Sequence, residues 1–332
     1  MIAKLREGVR ELLREREAHL TLVDAGARNG VFELGDVAEF VTAYGFEPNP
    51  DEFDKLIRGT TDLGLPSPPY RSLEYLPAAL GSSPGRCRFY VFSRGPGASG
   101  LLPARAADAG SFRVAGASES MYELYFGEPQ EVDVDVTTLD LFASERGLGR
   151  VDFLKIDVEG FEYELLQGAA TTLRNTALIR VEVAFVPMRE GQHLFSDVDI
   201  FLREYGFDLL RYEMEQNLMG YRTRSNPIED PLGPRFPDPF ARAIVADGIY
   251  VNTLIDDEES VINQAVGLIE RNYVDEALWI LREKTNVRGP LLDALAVAKV
   301  GGRAHEAQRR GYRAVDAVVL ATARIARKLA RM

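Results

Sequence analysis

Two rhythms of apolar spacing run along the chain. Leu5, Val9, Leu12 and Leu13 fall on one stripe among Arg and Glu residues, which predicts a helix over residues 1–19. A short apolar strand, Leu20 to Val23, follows and breaks into the glycine-bearing turn DAGARNG. A brief helix is expected over Val31–Phe40 and a second strand over Val41–Phe46. That strand runs into EPNPDEFDKL, where Asn49 reads as an N-cap, Pro50 as the first helical residue and Glu52 as the third. Further strands are predicted near Ser72–Leu76 and in RFYVFS and EVDVDVTTL, on either side of a Gly/Ser/Ala-rich insert at 95–116. VDFLKID and ALIRVEVAF are near-continuous apolar runs, the mark of strands covered on both faces of a parallel sheet. Between them lies a helix with Phe161, Leu165, Leu166, Ala169 and Leu173 inward. A helix containing Phe201 and Leu202 ends near Gly206. The last two strands, FDLLRYEM and ARAIVADGIYVN, have no crossover helix between them and are expected to pair antiparallel, across a Pro-rich loop at 224–240.

Strands alternating with helices predict a doubly wound α/β sheet. Beyond Leu254 the pattern is helical, and Arg271–Ala277 resembles Gly302–Ala307 at a spacing of 30 residues, a hint of helix-pair repeats. The single tryptophan, Trp279, is expected in the core of a helix there.

Composition narrows the class. With 46% apolar and 27% charged residues the chain can build an ordinary globular core. No apolar run is long enough for a membrane span, and the N-terminus lacks the apolar block of a signal peptide. The lone Cys87 excludes internal disulfides and CxxC metal sites, so no metal is expected and a cytoplasmic location fits. A net charge of −12 disfavours nucleic acid. The charge is uneven: from Lys299 onward nine basic residues oppose two acids, leaving that tail at +7 and the remainder at −19. The tail is therefore expected to be a separate element that docks on the acidic body, a second copy or a protein partner.

Three motifs carry candidate chemistry. In LVDAGARNG, Gly26 and Gly30 suit a loop that brings backbone close to a cofactor, and Asp24 before them favours a cationic group over a phosphate. A sulfonium with an amino group, as in S-adenosyl-L-methionine, has that charge. Glu47 lies 23 residues after Asp24 at the end of the second strand, where an acid commonly grips ribose hydroxyls. Helix capping alone also accounts for Asn49. In LKIDVEGFEYELLQGA, Asp157 falls where a central strand leaves the sheet and Glu159 follows; acids there also complement a helix N-terminus. His193, just after the next strand, is a candidate general base, and Glu182, an acid within a buried strand, needs either a site or a partner such as Lys155.

LVDAGARNG, AYGFEPNP, Ala79–Gly81, VTTLDLF and FLKIDVEGFEYELLQGA, with LIRVEV and Gly206–Phe207, resemble the FkbM-type S-adenosylmethionine-dependent methyltransferases, in that family's order across roughly residues 20–252. The resemblance implies the class I methyltransferase fold, a Rossmann-like, seven-stranded, mostly parallel sheet with an antiparallel last strand. It covers a methyltransferase domain at 20–252; the N-terminal helix at 1–19 and a helical C-terminal appendage at 253–332, both expected from the apolar pattern, lie outside it. It implies that Asp24, Gly26, Ala27, Arg28, Asn29 and Gly30 hold the methionine half, Glu47, Pro48 and Asn49 the ribose, and Ala79 and Leu80 the adenine, with Asp157 beside the donor. Asp157, Glu159 and His193 are then the candidate bases. The family usually has Asn where Arg28 stands, which predicts a guanidinium pairing with the methionine carboxylate. The expected acceptor is a hydroxyl of a sugar, glycan or polyketide-type natural product, and the insert at 95–116 and the Pro-rich loop are expected acceptor walls. A nicotinamide oxidoreductase is opposed by the absence of GxGxxG. The other rival is a non-enzymatic scaffold that presents the helical tail to a partner.

Overall fold

The computed structural model describes residues 2–106, 110, 112–114, 120–213, 219–222, 242–287 and 292. The Pro-rich loop at 224–240, the basic tail from Lys299, His305 and the second repeat-like stretch lie outside the described residues. In chain order the elements are α1 (Ile2–Glu15), β1 (Leu20–Ala25), β2 (Val41–Phe46), α2 (Pro50–Arg58), β3 (Ser72–Leu76), β4 (Ala79–Leu80), β5 (Gly85–Val91), β6 (Phe112–Val114), α3 (Met121–Tyr125), β7 (Gln130–Thr137), α4 (Leu139–Arg146), β8 (Val151–Ile156), α5 (Glu162–Gln167), β9 (Thr176–Ala184), α6 (Phe195–Glu204), β10 (Phe207–Glu213), β11 (Met219–Arg222), β12 (Arg242–Ala243), β13 (Val245–Asn252), α7 (Glu258–Glu270) and α8 (Val274–Lys284).

The main sheet has the order β10-β13-β9-β8-β1-β2-β3. β13 runs antiparallel to both β9 and β10, and the other pairings are parallel. This is the mostly parallel seven-stranded sheet with an antiparallel last strand that the family resemblance implies. The apolar runs β8 and β9 occupy its middle, where helices cover both faces.

Alternation along each strand divides the core in two. Leu20, Leu22, Phe153, Leu178 and Val251 face Val9 and Leu13 of α1 and the inner sides of α7 and α8. Val23, Leu154, Ile156, Ile179 and Val181 face Phe142 of α4, Leu165 and Leu166 of α5, and Leu202 of α6. A third cluster, with Phe92, Ala98, Phe126, Val186, Met188 and Ile244, lies beneath the start of the insert.

Three local expectations change. The helix expected over Val31–Phe40 is a 3-10 segment over Gly35–Phe40, because Leu34 before it is left-handed at φ 58°. Phe161 precedes α5 as its cap instead of lying on its inner face. Trp279 is 53% exposed, because Ala277, Leu278, Ile280 and Leu281 take the buried side of α8. α7, which follows Asn252, is buried along most of its length against β8 and β9 and shares a core with Leu20 and Leu22. No helix among the described residues is long and apolar enough to cross a membrane.

Candidate active site

The site begins with three strand exits tied to one another. The amides of Gly26 and Ala27 donate to the Phe46 carbonyl at 3.1 and 2.9 Å, and the Asp157 amide donates to the Ala25 carbonyl at 2.9 Å. β1, β2 and β8 therefore release their loops at one point, the crevice outside the carboxyl ends of the strands where open α/β sheets take ligands. Gly26 has φ +96°, and a Cβ there would stand 1.9 Å from the Asp157 carbonyl oxygen. Only glycine lets the two loops approach this closely.

These loops border a cavity of about 750 Å³, a size that accommodates a drug-sized ligand. Asp24, Gly26, Arg28, Asn29, Gly30, Glu47, Pro48, Asn49, Ala79, Leu80, Asp157 and Glu159 line it together. Ala27 is fully buried and is absent from the lining, so it contributes its backbone amide alone. Gly95–Ser99 and Leu101 of the insert, with Tyr125, Phe126 and Met188, form the far wall. His193 is not among the lining residues. It stacks on Tyr163 of α5 at 4.0 Å and lies between Glu164 and Asp197, at 3.8 and 3.5 Å, while its neighbour Gln192 reaches the cavity.

The charges are arranged in pairs. Asp24, 2% exposed, accepts from Lys155 Nζ at 2.9 Å, and the same ammonium donates to the Gly26 carbonyl at 3.0 Å. The parallel register of β1 and β8 sets Asp24 beside Lys155. Burial pushes the Asp24 carboxyl up, against the opposing pull of Lys155. Lys155 Nζ also lies 3.6 Å from Asp157 Oδ2. Arg28 reaches Glu52 at 3.0 Å and pairs with Asp62, so in this structure its guanidinium is engaged by protein carboxylates. Glu47 is buried at the end of β2, where its Oε1 accepts from the Asn49 amide at 2.8 Å. Burial raises its carboxyl to about 7, with the Asn49 amide opposing. Asn49 does cap α2, accepting from the Asp51 amide at 3.1 Å, while also lining the cavity.

Beyond β8, Glu159 pairs with Arg189 at 2.5 Å, and burial raises its carboxyl to about 7 despite that cation. Glu182 faces the cavity from β9, and burial together with Asp157 and Glu159 raises its carboxyl well above the ordinary value. Oxygens of Asp157, Glu159 and Glu182 lie within 4.8 Å of one another, a spacing that one cation can bridge. Lys155 therefore pairs with Asp24 and leaves Glu182 to the cavity.

Several lining residues escaped sequence reasoning. Arg180 bridges Glu33 at 2.8 Å and Asp247 at 2.6 Å. Arg271, beyond α7, reaches the same Glu33 at 3.0 Å. For Arg180 and Asp247 the sequence signal was a charged residue within an otherwise apolar strand.

The sequence matches the methyltransferase FkbM domain over residues 24–209, more than half the chain. The chain belongs to the FkbM methyltransferase family. It is also 30% identical over 204 residues to methyltransferase sdnD of Sordaria araneosa, covering 58% of this chain and 76% of that protein. Among solved structures it is similar to the magnesium protoporphyrin IX methyltransferase ChlM of Synechocystis PCC 6803. With bound SAM, that structure gives a TM-score of 0.33 at 10% identity, covering 76% of this chain and 79% of the other. The same enzyme with bound SAH gives 0.32 at 10% identity, over 76% and 83%.

This FkbM-family protein is a methyltransferase, and S-adenosylmethionine is the cofactor of its family. The residues present fit that cofactor. In the loop that Gly26 opens, the buried Asn29 Oδ1 has no hydrogen-bond partner among the described residues and borders the cavity. The neighbouring carboxylates also suit a sulfonium and an ammonium.

Proposed function

We propose that the protein transfers the methyl group of S-adenosylmethionine to a hydroxyl oxygen of a sugar, glycan or polyketide-type acceptor. The observation that carries this reading is the sharing of one cavity by the β1 glycine turn, the β8 carboxylates and the wall at 95–101. The cofactor, when bound, supplies an electrophilic methyl group on its own positively charged leaving group. Asp24, Gly26 and Gly30 shape the methionine end, Glu47 holds the ribose, and Ala79 and Leu80 lie against the adenine. Asp157 and Glu159 then flank the acceptor hydroxyl. A base with its pKa near neutrality takes a proton most effectively at physiological pH, and Glu159 at about 7 meets that condition. The wall excludes water and fixes the hydroxyl in line with the methyl group. His193, outside the lining, has no part in this scheme.

Glu159→Gln is expected to fold and bind S-adenosylmethionine yet lose most methyl transfer, by about 10²–10⁴-fold, the usual weight of a general base. A radiolabel-transfer assay against a panel of hydroxyl-bearing glycosides and polyketides reads this. Methylation of amines but not of hydroxyls in that panel would overturn the oxygen assignment.

Glu47→Ala is expected to weaken S-adenosylmethionine binding by on the order of 1.5–3 kcal/mol, the worth of a charge-assisted hydrogen bond. Affinity in the wild type should also fall as pH drops through about 7, where Glu47 takes up a proton. The effect on folding has the opposite sense. A carboxyl raised from 4.5 to about 7 favours the folded state most below 4.5, and that contribution fades as pH rises to 7. Calorimetric titration between pH 6 and about 8 separates the two trends. An unchanged affinity in the variant would place Glu47 outside the cofactor site.

A further inference from the structure

Arg189 lies in the loop after β9, outside all the motifs that carry the family resemblance, and is 2% exposed. Its Nη2 donates to the Ala98 carbonyl at 2.6 Å and to Glu159 Oε2 at 2.5 Å. Its Nη1 donates to the Leu102 carbonyl at 3.4 Å. The guanidinium carbon sits 5.3 Å from the centre of the Phe126 ring. The backbone on either side is stitched to the same wall, with the Arg105 amide donating to Met188 at 2.8 Å and the Glu190 amide to Pro103 at 2.9 Å.

Two glycines make room for this assembly. A Cβ at Gly160 would stand 2.7 Å from Arg189 Cδ, and one at Gly100 would stand 3.1 Å from Glu159 Cβ. Burying a guanidinium costs more than burying an apolar side chain of the same volume unless it is paired and hydrogen-bonded. Among the described residues Glu159 is its one carboxylate partner within salt-bridge distance. A space-filling role would be served as well by methionine. The fork geometry that reaches a carboxylate and two carbonyls at once is particular to arginine.

We propose that Arg189 is a positioning residue, a single buried guanidinium that holds the Glu159 carboxylate and the 98–102 wall in one frame. The acceptor hydroxyl thereby meets the carboxylate and the wall in a fixed mutual geometry. This inference rests on the reading of the cavity as a methyl-transfer site with the acceptor against that wall. The charged groups that act on Glu159 are Arg189 and Arg28, which favour its ionised form, and Asp157, Glu162 and Glu182, which oppose it.

The test uses the full chain, with S-adenosylmethionine as the only ligand, and compares Arg189→Met, Arg189→Lys and Glu159→Gln. Amide hydrogen exchange over 98–102 reports the wall, and carboxyl carbon NMR, assigned through Glu159→Gln, reports the titration of Glu159. Arg189→Met is expected to melt cooperatively and bind S-adenosylmethionine as the wild type does. Its wall amides should exchange about tenfold faster, the equivalent of about one hydrogen bond. Its Glu159 midpoint should rise by about 1–3 pH units once the cation is gone. Arg189→Lys is expected to restore the midpoint, because the charge returns, but not the wall protection, because one ammonium does not replace the fork. A structural filler would move neither reading in this pattern.

Wild-type wall exchange together with a wild-type Glu159 midpoint in Arg189→Met overturns the proposal. Should that variant not fold, unchanged wall exchange in both Arg189→Lys and Glu159→Gln overturns it equally. Failure of the wild type to bind S-adenosylmethionine would instead overturn the reading of the cavity, since the wall and midpoint measurements are made without any acceptor.

Discussion

Truncation after Asn252 is expected to abolish folding. α7 alone buries Val261, Ile262, Val266, Leu268 and Ile269 in the core shared by the sheet, α1 and α8, each at most 6% exposed. At about 1.5–3 kcal/mol per large aliphatic side chain, the loss is on the order of 7–15 kcal/mol, as large as the whole stability of a typical domain. Polar contacts would go with it. Asn263 donates to Asp152 at 2.9 Å, and Gln264 donates to the carbonyls of Ala177 and Asn252 at 2.8 and 2.9 Å. Arg271, which reaches Glu33 at the edge of the cavity, would also be lost. Soluble yield and a thermal melt followed by circular dichroism check this. A soluble fragment with the wild-type melting temperature would show that the helices after Asn252 are dispensable.

The second large effect is expected at Lys155. Lys155→Met leaves Asp24 buried without its cation, and breaking a buried pair on one side costs about 3–5 kcal/mol. Asp24 already has a raised carboxyl, and removing Lys155 removes the main influence that opposes burial. The folded variant should therefore keep Asp24 protonated where the unfolded chain ionises it. The deficit is then smallest below about pH 4, the unfolded aspartate value, and grows as pH rises above it. Chemical denaturation at acidic and neutral pH measures this slope, and Lys155→Met with Asp24→Asn should recover much of the loss. A pH-independent deficit, or no recovery in the double variant, would mean that the pair does not carry the effect.

Much of the β1, β2 and β8 side of the cavity was legible in the chain. Gly26 and Gly30 marked a turn that brings backbone close to the cavity, Pro50 after Asn49 marked a helix start, and the apolar runs marked β8 and β9 as central strands. These signals are local, since backbone conformation and side-chain periodicity depend on residues within a few positions of one another. The spacing of Asp24 and Glu47 carried over to three dimensions because consecutive parallel strands in a βαβ unit release their loops on the same edge. A histidine in a loop has no such constraint. His193 follows β9 in sequence, yet its ring turns to Tyr163 and away from the cavity.

Partnership across the sheet was not legible. Asp24 and Lys155 lie 131 residues apart, and their contact exists only because β1 and β8 are neighbours in a particular register. Arg189 meets Glu159 and the Ala98 carbonyl because separate loops converge above β8, and Glu33 is shared by Arg180 from β9 and Arg271 from beyond α7. The pattern of apolar residues likewise marked the C-terminal region as helical without revealing that α7 covers β8 and β9. The chain alone thus established the strand order of chemistry, the turn at Gly26 and the acids that end β1, β2 and β8. Folding determined which of those acids are paired, which face the cavity and which helices are core, because each depends on contacts between segments whose separation along the chain carries no information about their distance in space.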